Sequence, residues 1–159
     1  MEIAQLPFVD EHTKVVAAGV DEVWPVLLET LDATFSYAGA ARYARLVGCD
    51  DRRASGPRPL AKGSTMPGFR VTIAVPGTEL VLEGHHRFSS YALVFHLEPI
   101  SADQSQLCAE TRAAFPGWAG RAYRLIVIGT GGHVVAVRRL LSRVVRRSEQ
   151  GGGSSITQR

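Results

Sequence analysis

The sequence predicts an α+β domain, and three observations carry that expectation. Residues 69–115 alternate apolar and polar side chains with period two, in four short runs divided by turn residues. Residues 20–47 and 117–147, on either side, space their apolar residues at helical intervals. The chain has 159 residues, 45% of them hydrophobic and 21% charged, which suits one globular domain with a single core. That domain is expected over 1–147, with a flexible tail, "SEQGGGSSITQR", over 148–159.

The elements follow in chain order. "HTKVVAA" (12–18) is partly β-branched and suits a first strand. In Val20-Asp21-Glu22-Val23-Trp24-Pro25, the acids and the early proline suit the first turn of a helix. Val23, Val26, Leu27 and Leu31 continue it, and a second short helix is expected over 36–47. Residues 50–68 hold three prolines and three glycines and read as loop. The four runs then put Phe69, Val71, Ile73 and Val75, followed by Leu80, Leu82, Gly84, His86 and Phe88, on one face. Tyr91, Leu93, Phe95 and Leu97, and then Leu107, Ala109, Thr111, Ala113 and Phe115, extend that face. Four short strands with tight connections make an antiparallel meander. Its other face carries Glu83, Arg87, Glu98, Glu110 and Arg112, a set suited to surface ion pairs.

The stretch "RLIVIGTGGHVVAVRRLL" (124–141) raises a separate question. A dinucleotide-binding turn needs G-x-G-x-x-G, a returning strand and an acid further on. Gly129 and Gly131 fill two places, but Val134 stands at the third, and neither the strand nor the acid follows. The segment therefore reads as helix, with an apolar stripe through Trp118, Ala122, Leu125, Gly129, His133, Ala136, Leu140 and Val144. Each mid-helix glycine costs about 1 kcal/mol against alanine, so the helix needs outside support or breaks in two.

Charge is unevenly spread. Residues 1–110 hold nine Lys/Arg and fourteen Asp/Glu, whereas residues 111–159 hold nine arginines and one acid, Glu149. A solvated helix face accounts for this more simply than a nucleic-acid or membrane surface. Cys49 and Cys108 match no metal spacing and read as small buried hydrophobes. No apolar run reaches the roughly 18 residues of a membrane span. The start lacks the basic end and apolar centre of a signal peptide, so a cytoplasmic location is expected.

The order of these elements resembles the START-like, or SRPBCC, superfamily, whose members have the helix-grip fold and include polyketide cyclases/dehydrases and binders of lipids or hormones. "VVAAGVDEVWPVLLETL" (15–31) is similar to the opening strand and helix of that family, and the meander and the arginine-rich end match as well. The resemblance implies a curved antiparallel sheet wrapped around a long C-terminal helix, with two short helices after the first strand. It also implies a cavity between sheet and closing helix, lined by the inward faces derived above.

On that premise the ligand-binding candidates are Trp24, Phe69, Val71, Leu82, Phe88, Leu93, Phe95, Thr111, Trp118, Tyr123 and Gly129. An apolar pocket with few polar groups suits a hydrophobic small molecule. His86, His133 and Tyr91 are the catalytic candidates. One histidine would remove a proton from an activated carbon or hydroxyl while the other, or Tyr91, polarises a carbonyl, as an aldol cyclisation and dehydration require. The competing reading makes each histidine a core residue bonded to backbone or water, in a non-catalytic carrier of a lipid-like or aromatic ligand. His85 and His86 point to opposite sheet faces and form no metal site. Neither a metal nor a cofactor is expected. Nucleic acid ranks last among partners, because the arginines interleave no exposed aromatics, and a homodimer is left open.

Overall fold

The computed structural model describes residues 5–152. The chain runs β1 (Phe8–Val16), α1 (Val20–Phe35), α2 (Ala38–Val47), β2 (Thr65–Met66), β3 (Phe69–Val75), β4 (Glu79–His86), β5 (Ser89–Ser101), β6 (Gln104–Ala114), α3 (Gly117–Val127) and α4 (Gly132–Gly152). The strands form one antiparallel sheet in the order β1-β6-β5-β4-β3-β2. β3 to β6 are the expected meander, and β1 returns to pair with β6.

Local chemistry accounts for the elements. α1 starts as Glu22 Oε2 accepts the Gly19 backbone N–H at 3.1 Å, which satisfies one of the donors a helix start leaves open. α2 stops at Gly48, whose left-handed φ of 75° ends the helix without a Cβ penalty. Along β6 every second residue is buried, from Ser105 to Ala113, as the alternation predicts for a sheet with one covered face. Val23, Leu27 and Leu31 of α1 and Leu141 and Val144 of α4 meet Val71, Leu80, Leu82, Phe95, Leu97 and Leu107 of the sheet in one core.

Three expectations are corrected. In β3 the register slips between Val71 and Ile73, which face Leu82 and Val81 in turn. This bulge reverses the side-chain alternation, so Ala74 turns to the core, while Ile73 and Val75 are 37% and 46% exposed. The closing segment breaks into α3 and α4, inclined at 54°, with the glycine-rich step as the turn between them. Ile128 N–H still bonds back to Arg124 O, whereas Gly131, at φ 73°, bonds Ile128 O and starts a new direction. Finally, α4 continues through residues 148–152, where the tail was expected to begin: Ser148 is buried and Glu149 Oε1 accepts the Ala17 N–H at 3.1 Å. Residues 153–159 lie outside the described residues.

Candidate functional site

A cavity of about 670 Å³ lies where β4, β5 and β6 face α2, α3 and the first half of α4. It is partly open to solvent and mainly apolar, with Phe35, Phe69, Leu93, Val137 and Leu140 among its walls. Against them stand His86, Tyr91, Thr111, Tyr123 and His133, so the alternation along the strands, α3 and the start of α4 bring these five expected residues to one space.

His86 closes β4 and is buried. Its Nδ1 accepts the Phe88 backbone N–H at 3.1 Å, which puts the ring hydrogen on Nε2. The ring is packed edge-on against Tyr123, with centroids 4.9 Å apart, and tilted against Tyr91 at 5.4 Å. Burial, and then the neighbouring His85, push its pKa below the ordinary histidine value, because charge is poorly solvated there. His86 is therefore neutral and a hydrogen-bond donor.

His133 stands in the first turn of α4. Its Nε2 lies 3.0 Å from Thr111 Oγ1 and 3.4 Å from Asp10 Oδ1. Asp10 and Thr111 are paired across β1 and β6. Asp10 Oδ1 is buried without a hydrogen-bond partner, while Oδ2 takes His12 Nε2 at 3.3 Å. A carboxylate oxygen only accepts, so this corner places an acceptor beside one nitrogen of His133.

Tyr91 is positioned differently from a free acid or electrophile. Its hydroxyl donates to Gly68 O at 2.7 Å, and burial, the first cause, raises its pKa far above the ordinary phenol value. The ring lies over Gly84, its partner across β4 and β5. A Cβ on Gly84 would stand 2.4 Å from that ring and 2.2 Å from Gly68 O, so glycine is required by the close approach. Beside it, burial raises the Cys49 thiol above its ordinary value, which leaves it a poor nucleophile. Towards the outside, the Tyr43 and Tyr123 hydroxyls bond one another, and burial raises the Tyr123 phenol far up as well.

The remaining expected lining residues sit elsewhere. Val71, Leu82 and Phe95 are fully buried in the core beneath the cavity, and Trp24 packs against that same core. Phe88 packs on Ala44, Val47 and Cys49 and stacks on Tyr123 at 5.6 Å, so it supports the wall from behind. Trp118 is 84% exposed, and Gly129 is exposed in the turn between the helices. Asp10, Cys49, Tyr43 and Arg143 were not expected at the site. No sequence motif marks them, because each reaches it through a pairing of distant segments. Among the described residues, no group of three His, Cys, Asp or Glu side chains is placed to hold a metal ion.

Known structures share this architecture. The ZhuI aromatase/cyclase of Streptomyces sp. R1128 superposes with a TM-score of 0.57 at 14% identity, over 92% of this chain and 95% of that one. A point mutant of norcoclaurine synthase from Thalictrum flavum, bound to a transition-state analogue, gives 0.54 at 16%, over 93% and 99%. DynU16, from the dynemicin biosynthetic locus, gives 0.53 at 16%, over 89% of this chain and 47% of that one. Neither a family model nor a curated protein matches the sequence. Identities this low speak for the fold alone.

Proposed function

The chain has the helix-grip fold of the START-like proteins, and from that premise we propose that its cavity takes up an aromatic or polyketide-type molecule and converts it by acid-base chemistry. The observation that carries this reading is the opposite engagement of the two cavity histidines. His133 Nε2 faces the Asp10 carboxylate and Thr111 Oγ1, so Nε2 keeps the hydrogen and Nδ1 its lone pair. His86 Nδ1 is taken up by a backbone N–H, so its Nε2–H is the group left to donate. One histidine is thereby a base and the other a neutral donor, in a space walled mainly by apolar groups.

The chemistry these roles suit is an aldol closure. His133 removes a proton from a carbon flanked by two carbonyls, and His86 stabilises the resulting enolate oxygen by hydrogen bonding. The enolate carbon forms a bond to a second carbonyl carbon, whose oxygen takes up a proton from the His133 imidazolium. Loss of water, taking the remaining proton of the former enolate carbon and the hydroxyl just formed, leaves a carbon–carbon double bond in the closed ring. Tyr91, its hydrogen engaged by Gly68 O, shapes the wall.

Benzoylacetone, an aromatic 1,3-diketone, tests the first step without the natural substrate. In deuterated water the protein is expected to speed exchange of the hydrogens between its carbonyls, followed by NMR. His133→Gln should lose at least 100-fold of that acceleration, the low end of general-base contributions, and His86→Ala a smaller part. Saturable binding of the diketone with no faster exchange would instead favour the carrier of an apolar ligand.

A further inference from the structure

α3 turns one stripe to solvent: Trp118, Arg121, Ala122, Leu125 and Ile126, at successive helical positions. Trp118, Leu125 and Ile126 are 84%, 71% and 67% exposed, although each is large and apolar. The opposite side of the helix gives Tyr123 and Val127 to the cavity wall, so α3 is apolar on both sides. Next along the chain, Arg138, Arg139, Arg143 and Arg146 of α4 surround one shallow groove, with Val135 at its end. None of these four, nor Arg121 or Arg124, forms an ion pair among the described residues. The one acid of this half, Glu149, is engaged by the Ala17 N–H.

We propose that the solvent side of α3, with the arginine face of α4, docks the protein on an anionic lipid bilayer. An exposed stripe of Trp, Leu and Ile punctuated by arginine is the composition of a helix that lies in a membrane interface. The apolar groups enter the boundary of headgroups and acyl chains, and the guanidiniums stay among the phosphates. A nucleic acid would neutralise the arginines but leave Leu125 and Ile126 in water. A second copy of the chain, meeting this face about a two-fold axis, would set unpaired arginines against their own copies. Arg143 lines both the α4 groove and the cavity, so the docked face adjoins the cavity. The docking itself stands apart from any chemistry inside.

The test is co-sedimentation of the full chain with phosphatidylcholine vesicles, with and without phosphatidylglycerol. Binding is expected on the anionic vesicles, weak on the neutral ones and reduced by salt. Replacing Arg138 and Arg139 by Gln should lower the partition by about 5-fold for each arginine. Leu125→Ser with Ile126→Ser, both at exposed positions, should lower it while leaving the thermal transition in place. Tryptophan emission should shift to the blue on anionic vesicles in the wild type and stay unshifted in Trp118→Phe. Failure to sediment with anionic vesicles overturns the proposal. So does tighter binding of duplex DNA with no change in Trp118 emission, or a dimer by light scattering that the double serine variant dissociates.

Discussion

At the scale of single residues, His86 couples burial to pH. The folded chain keeps its imidazole neutral because burial, then His85, hold its pKa below the ordinary value. An unfolded chain protonates the same ring near pH 6.5. Below that pH the unfolded state binds the extra proton first, so stability is full above about pH 6.5 and declines as pH falls toward the depressed folded value. His86→Gln, which has no proton to gain, should flatten this acid limb in urea denaturation measured across pH; an unchanged limb would separate the ring from the linkage. Much of this environment was legible in the sequence, since alternation alone puts His86, Tyr91 and Thr111 on the inward face. The Asp10 contact to His133 was not: it joins the first strand to the last helix and depends on the β1–β6 register, which no local pattern encodes.

At the scale of elements, the period of each segment was readable, but the phase between segments was not. The stripe from Trp118 to Val144 runs as if through one helix, yet Trp118 and Leu125 face solvent while Leu140 and Val144 are buried. The turn at residues 128–131 lets α3 and α4 present different faces, and α3 buries Gly120 instead. The same holds for β3, where one bulge turns Ile73 outward although the period-two pattern continues in the sequence. Gly131 tests the helix break directly. It has a φ of 73° and no atom within 4 Å of a would-be Cβ, so a substitution meets a backbone cost and no clash. Gly131→Ala should lower stability by about 1–2 kcal/mol in chemical denaturation, the cost of a left-handed L-residue. A neutral or stabilising effect would mean that the segment adopts a right-handed conformation in solution.

For the whole molecule, stability is unevenly distributed. The core joins α1, the later turns of α4 and β3 to β6 into one apolar block, whereas α3 has a single buried residue, Gly120. That glycine sits where a Cβ would stand 2.7 Å from the Phe115 carbonyl carbon, so α3 is held by close backbone approach at one end and by Tyr123 over His86 and Phe88. A helix with so little buried apolar surface opens at a lower free energy than the strands it covers. Amide hydrogen exchange should therefore show α3 exchanging well before β5 and β6, with the α4 residues from Val137 to Val144 protected alongside the sheet. Tyr123 and Val127 form part of the cavity wall, whereas no β1 residue lines it, so a molecule occupying the cavity adds contacts to α3 directly. Bound benzoylacetone should slow exchange in α3 and leave β1 unchanged. Equal protection of α3 and β5 in the free protein would make the wall a fixed one, and a molecule would then enter the cavity without movement of the helix.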